Sequence, residues 1–465
     1  MNPAALAFAL VLAQETRPKV DPAITREDLA ACVAVLASDE LRGRATGTPE
    51  CEKAAEFLAS RLALAGVKPA GDDGTFLQRV PLTNTHHKAI PKLTVWRADG
   101  TSTAAVCGVD FDWRGGTFSN AKLTMRVLAK AEDMPSKADA TLALFVDGSS
   151  KVQREVLGES GGRGCGVLLT AGRAVAGKQA DDRPPRDRRE VADPSRPAPI
   201  PSLRINGPLL EQLRKGEVTA LRVETDVVVE EVRTFNVLGR IDGVGTPSNA
   251  ALAQDAIMFS AHYDHLAPRA GADGEDTIFN GADDDASGCS AVLELAEAFA
   301  AGAKPARTLL FLFATGEEIG LVGSNWFVDH PVVPLERLVC DLNFEMIGRP
   351  DALVGGAGKL WLTGYERSNL GASFAALGMS VVADPRPTQG FFQRSDNYAL
   401  ALRGVVAQTL STYNLHDDYH HVSDELDTLD FAHMEACVRA AFIGAGALAD
   451  GSLAPQWNEG GQPKR

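Results

Sequence analysis

Beyond Thr234 the chain settles into a rhythm that few architectures can accommodate. An apolar run at 257–260 is followed by an amphipathic stretch at 288–301, a second apolar run at 308–314, and a third entered through 335–343. Short continuous apolar runs read as strands buried on both faces, and the stretch between the first two carries Val292, Leu293, Leu295, Ala296 and Phe299 at helical spacing. Strands alternating with helices predict the α/β class: a mixed, mostly parallel central sheet flanked by helices. Residues 25–64 add two helices, marked by Leu29, Cys32, Val33, Leu36 and then Ala54, Phe57, Leu58, Leu62, around a turn near residues 43–47. No internal repeat of 20 to 50 residues interrupts this order.

At 465 residues the chain exceeds one ordinary hydrophobic core. Between about residues 90 and 232 the texture changes to short β-rich runs (93–96, 142–146, 167–169) separated by Gly- and Asp-rich turns, which predicts a β-rich inserted domain. Inside it, residues 176–199 are rich in Pro, Arg and Asp without hydrophobic period and read as an exposed, mobile loop. The expected organisation is therefore a leader at 1–15, a first part of the α/β domain at 16–89, the insert at 90–232, the main part of the α/β domain at 233–450 and a disordered tail at 451–465. The leader rests on the apolar run 3–13, too short to span a bilayer and ending in small residues like a signal peptide, although it lacks a basic start. A secreted or periplasmic protein without a membrane-spanning segment follows from that reading. The formal charge of -15 argues against a nucleic-acid partner. Seven cysteines without CxxC spacing argue against a thiolate zinc site, and most read as small buried hydrophobes.

Ligand-type side chains concentrate at the ends of the predicted strands, where α/β folds place their sites. His262 and Asp264 directly follow the first apolar run. Asp283, Asp284 and Asp285 precede the helix at 288; three adjacent carboxylates repel one another unless cations or helix N-terminal amides neutralise them, although Asp285 or Ser287 could serve as a simple cap. Glu317 and Glu318 follow the second run, a pair that can divide its labour between cation binding and activation of water. Glu345 sits among apolar residues at the end of the third run, where an unpaired carboxylate is costly. The sequence Asp418-Tyr419-His420-His421 supplies a late histidine cluster. Each segment alone also admits a structural role.

In this order and spacing the segments resemble the co-catalytic di-zinc aminopeptidase family, whose clan also holds glutamate carboxypeptidases, glutaminyl cyclases and the metal-free transferrin receptor ectodomain. The resemblance spans residues 25–449 apart from the insert, which is itself similar to a protease-associated domain. It implies a zinc-exopeptidase fold and two zinc ions held by His262, Asp284, Glu318, Glu345 and His420, with Asp284 bridging. Glu317 is then the general base acting on zinc-bound water, Asp264 the carboxylate behind His262, and Tyr419 a phenol near the developing oxyanion. Glu345 stands where most members have Asp, one methylene longer. Peptides with a free N-terminus are the implied substrates. Arg394 keeps a glutamate-carboxypeptidase-like or dipeptidase alternative open, and a glutaminyl cyclase or a receptor-like homologue is the more distant one.

Overall fold

The computed structural model describes residues 24–115, 120–128, 139–147, 165–172, 188–192 and 201–464, with isolated positions between them. The apolar run at 3–13, and with it the expected leader, lies outside the described residues. The chain divides into two compact units, one of residues 1–80 and 233–465 and one of residues 81–232.

The first unit is built on a nine-stranded mixed sheet. Four parallel strands form its centre, in the spatial order Thr308–Ala314, Ala256–His262, Leu338–Phe344 and Val406–Ser411. Phe235–Ile241 closes one side antiparallel to Thr308–Ala314, and Leu360–Leu362 closes the other antiparallel to Val406–Ser411. Every residue of Thr308–Ala314 is buried because both faces of the strand are covered. Leu309, Phe311 and Phe313 join the core on one face, with Gly288–Ala301 and Phe431–Ala449, while Leu310, Leu312 and Ala314 join the core on the other, with Val322–Asp329 and Asn397–Ala401. That two-residue alternation explains why the run shows no polar face in the sequence.

Helix starts follow local chemistry. Thr25 caps Arg26–Leu36 by accepting the Asp28 N–H, and Thr48 caps Pro49–Leu64 by accepting the Cys51 N–H, with Pro49 at the first helical position. Pro49–Leu64 is braced on Gly288–Ala301 by a buried Arg61–Glu297 pair at 2.5 Å. Glu294, one turn before Glu297 and almost fully buried, has a 3.4 Å contact from the Thr25 N–H. Burial, reinforced by Glu297 and Asp28, pushes its carboxyl up to about 9. The fold thus favours the protonated form, and the stability this supports falls as pH rises from the ordinary carboxylate value towards 9. Glu294→Gln is expected to raise the melting temperature at about pH 9 and to change it much less at about pH 5, measured by calorimetry at both.

The second unit holds an eight-stranded sheet and a separate three-stranded sheet, with the helix Gly207–Arg214 packed on the first through Leu209, Leu210 and Leu213. It begins at Pro81 and takes in the strand Leu82–His87, before the boundary expected near residue 90. Part of the expected loop at 176–199 is a strand: Arg188–Val191 pairs antiparallel with Leu82–His87, a partner a hundred residues away that no local periodicity reveals. Most of that stretch lies outside the described residues.

The expectation of a disordered tail at 451–465 is corrected by the structure. Trp457 packs against the core and donates its indole N–H to Gly404 O at 3.0 Å, and Arg307 donates to Leu453 O at 2.9 Å. Asn458 donates to the carbonyls of Glu366 and Ser368. A segment poor in apolar residues is ordered here by one buried indole and by backbone groups exchanged with the 366–369 turn. Six of the seven cysteines are buried, and Cys165 is half-buried. Among the described residues no helix is long and apolar enough to cross a membrane.

Candidate metal centre

His262 is the last residue of Ala256–His262, and the chain continues from that strand to a neighbour on either side, Thr308–Ala314 and Leu338–Phe344. Such a reversal of strand order opens a crevice at the carboxyl ends of the strands. Glu317 and Glu318 follow Ala314 into it, Glu345 follows Phe344, and the segment after Ser411 delivers His420.

Five of these side chains converge. His262 Nε2 lies 3.1 Å from Asp284 Oδ1 and 4.0 Å from Glu317 Oε2. His420 Nε2 lies 3.2 Å from both Asp284 Oδ2 and Glu318 Oε2. Asp284 therefore turns one oxygen to each histidine. Glu345 and Tyr419 line the same cavity as Asp284 and Glu317, and the Tyr419 ring stacks on the His420 imidazole with centroids 3.9 Å apart. Among the described residues, His262 Nε2, Glu318 Oε1 and Glu345 Oε2 are buried and make no well-aligned hydrogen bond, although His262 Nε2 and Glu318 Oε1 lie at ion-pair distance from Asp284 and His265. Orphaned donor atoms of this kind, converging in one place, fit a cation. Imidazole and carboxylate without thiolate suit zinc.

His265, to which the sequence reading gave no role, also enters the cluster. Its ring is buried, Nδ1 lies 2.8 Å from Glu318 Oε1 and 3.9 Å from Asp284 Oδ2, and neither nitrogen has a hydrogen-bond partner of acceptable geometry. His265, Asp284 and Glu318 are placed so that one ligand atom from each could reach a single ion. Gly281 makes the space: it adopts φ +56°, and a Cβ there would fall 2.5 Å from the His265 ring and 2.3 Å from Asp284 O. The signal was present in the sequence as a second histidine three residues after His262, but only the fold shows that both rings point inward.

The three adjacent aspartates divide their tasks. Only Asp284 faces the histidines. Asp285 is a bracket between loops, its carboxylate accepting the backbone N–H groups of His262, Gly288 and Met346 at 3.0–3.3 Å. Asp283 accepts the Gly348 N–H at 2.7 Å and faces His416 Nε2 at 3.0 Å. Two of the three carboxylates thus have partners in the protein itself, Asp285 in backbone amides and Asp283 in an amide, Ser287 and His416. Asp424 accepts the N–H groups of Asp283 and Asp284, and Arg349 in turn pairs with Asp424 and Asp418. Arg44, fully buried, donates to the carbonyls of Leu36, Asn280, Gly281 and Asp284 and so clamps the loop from below. Met346 and His420 both adopt positive φ, 52° and 59°, a conformation uncommon outside glycine and often met where a site imposes it.

Asp264 departs from its expected position. His262 Nδ1 is 3.1 Å from the Asp264 main-chain carbonyl and 3.9 Å from its carboxylate. The carboxylate instead accepts from Thr46 Oγ1 at 2.6 Å and from the Glu317 N–H at 3.1 Å. Its backbone thus orients His262 while its side chain anchors Glu317.

The electrostatics are those of a crowded acidic pocket. Burial, helped by Glu345, Asp396 and Glu318 and opposed by His262, holds the Glu317 carboxyl well above the usual range. Burial, opposed by His262 and helped by Asp284, pushes Glu345 up to about 7. Burial alone would raise Asp284 as well, but its contacts with His262 and His420 hold it well below the ordinary value. For His420 burial acts downward, yet the bonds to Asp284 and Glu318 carry it up to about 10. Protons here balance carboxylate charge, and bound cations would displace them.

Comparison with known proteins agrees with this geometry. Residues 236–443 match the model of "Peptidase family M28". The chain is 31% identical over 210 residues to the "Probable leucine aminopeptidase 2" of Aspergillus fumigatus, covering 44% of this chain and 38% of that protein. It is 40% identical over 80 residues to "Leupeptin-inactivating enzyme 1" of Streptomyces exfoliatus, covering 16% of this chain and 18% of that one. The chain thus spans well under half the length of these curated relatives. Among solved structures, the "Aminopeptidase from Aneurinibacillus sp. strain AM-1" has the same fold, with a TM-score of 0.54 at 17% identity over 93% of this chain and 94% of that chain. The residues matched by that family model, 236–443, carry His262, Asp284, Glu317, Glu318, Glu345 and His420.

Proposed function

We propose that the chain is a zinc-dependent exopeptidase of aminopeptidase type, removing N-terminal residues from peptides. The observation that carries this reading is the meeting of His262, His420 and Glu318 around the two oxygens of Asp284, with Glu317 beside His262 and free of a ligand's position. His262, Asp284 and Glu345 would hold one zinc and Asp284, Glu318 and His420 a second, with His265 a further donor on the Glu318 side. When bound, zinc supplies a Lewis acid that acidifies water and polarises a carbonyl.

The chain's own residues do the rest. Glu317, its backbone fixed by Asp264, accepts a proton from the attacking water at its carboxylate and returns it to the leaving amine. Tyr419 presents its phenol to the oxygen that becomes negative, and burial keeps that phenol protonated. The carboxylates around Asp284 attract the substrate's α-ammonium group, which favours exopeptidase over endopeptidase action. All the donors and the base are in place, which supports an enzyme rather than a metal-free binding module. The apolar run at 3–13 supports export, and the β-rich unit 81–232 supports a protease-associated role for the insert.

The test is release of p-nitroaniline from a panel of aminoacyl-p-nitroanilides. We expect turnover that a chelator abolishes and zinc restores, and about two zinc per chain by elemental analysis. A zinc-loaded protein that turns over no free-amine substrate would overturn the aminopeptidase reading.

A further inference from the structure

We propose that the cavity beside Glu345 receives a carboxylate of the substrate, bound by the guanidinium of Arg394 and the indole N–H of Trp361. The inference rests on the exopeptidase reading and adds the substrate class. The cavity, about 470 Å³ including its mouth, opens from Asp284, Glu317 and Glu345 and is walled by Trp361, Phe391 and Tyr413. Trp361 and Tyr413 both pack on the Phe391 ring, with centroids 5.4 and 5.7 Å away.

Two donors among the lining residues, the buried Trp361 indole and the exposed Arg394 guanidinium, have no acceptor among the described residues. Trp361 is 1% exposed, and its Nε1 has no hydrogen-bond partner. A buried indole N–H left unpaired is costly, and one that lines a cavity points to a ligand acceptor. The Arg394 guanidinium lies 5.1 Å from the centroid of Phe391, the same ring that Trp361 packs on, and makes no ion pair among the described residues. A guanidinium over an aromatic ring keeps its N–H groups available for an acceptor.

Two of the hydroxyls lining the cavity are already engaged. Thr409 Oγ1 donates to Asn397 at 2.9 Å, and Ser411 Oγ to Met346 O at 3.3 Å. Charge decides between a neutral and an anionic acceptor. Bound cations would offset much of the charge of Asp284, Glu317, Glu318, Glu345 and the neighbouring Asp396, and Arg394 is the cationic side chain among the residues lining the cavity. A planar fork with a second N–H beside it matches a carboxylate better than an amide.

The carboxylate could be the side chain of an N-terminal Glu or Asp, or the terminal carboxylate of a dipeptide. The experiment separates these sources with zinc-loaded protein. One arm compares kcat/KM for Glu- and Gln-p-nitroanilide, which carry no terminal carboxylate. The other compares Leu-Gly with Leu-Gly-amide. We expect the anionic member of one pair to be favoured by about tenfold or more, and the preference to collapse towards unity in Arg394→Met and to shrink in Trp361→Phe. Ratios near unity in both arms, or a preference that Arg394→Met leaves intact, would overturn the proposal. If no substrate is turned over, the exopeptidase reading fails on its own. Calorimetric titration of zinc-loaded protein with glutamate against glutamine then reads the cavity directly, and equal affinity overturns the carboxylate site.

Discussion

Glu317→Gln is expected to lower kcat by about three orders of magnitude or more while leaving the zinc content and the melting temperature close to those of the parent protein. A positioned general base contributes roughly 10²–10⁴ to rate, and here the same carboxylate would serve both as base towards water and as acid towards the leaving amine. The substitution keeps the shape of the side chain and removes its ability to take a proton. Glu317 is half of an adjacent pair whose other member, Glu318, meets His420 at 3.2 Å, so the comparison variant Glu318→Gln should lose zinc as well as activity. Steady-state kinetics together with elemental analysis separate the two outcomes. A Glu317→Gln variant that retains more than about a tenth of parental kcat would show that another group carries the proton.

The second large effect is expected far from the chemistry. Arg44→Met should destabilise the fold by roughly 4 kcal/mol or more and weaken zinc binding. A buried carbonyl that loses a charged donor costs about 1–3 kcal/mol, and Arg44 serves four, three of them in the loop that presents Asp284. Among the described residues its hydrogen bonds all go to peptide carbonyls. Arg44→Lys keeps the charge but not the planar fork and should recover only part of the loss. Thermal unfolding in the presence and absence of zinc provides the measurement. If Arg44 served only general packing, the metal-dependent increment in melting temperature would be unchanged in the variant. A reduced increment shows that the clamp sets the position of Asp284.

Much of the α/β scaffold was legible from residue order. Thr308–Ala314 and Gly288–Ala301 occupy the segments that periodicity marked, because a strand buried on both faces and a helix packed on a sheet each impose a local pattern. The errors fall where order depends on a distant partner. Arg188–Val191 is polar and becomes a strand only against Leu82–His87. The segment after residue 450 is poor in apolar residues and is fixed by Trp457 against Gly404.

The site divides along the same line. Acidic residues and histidines at the ends of apolar runs announced where ligands would gather, since the crevice of a parallel sheet lies at the carboxyl ends of its strands. That much needed only the spacing of His262, Asp284, Glu317, Glu318 and Glu345 in the chain. The division of labour within the run 283–285, the inclusion of His265, the use of the Asp264 backbone rather than its carboxylate towards His262, and the clamp by Arg44 were decided by tertiary structure. Arg44 and Asp284 stand 240 positions apart in the chain, and Asp284 and Asp424 stand 140 apart. A hydrogen bond is directional and short, so which of three neighbouring carboxylates meets an imidazole depends on a turn of the backbone that no residue in the run specifies alone. The sequence by itself determined which chemical groups reach the crevice; the packed fold determined which atoms of those groups face one another.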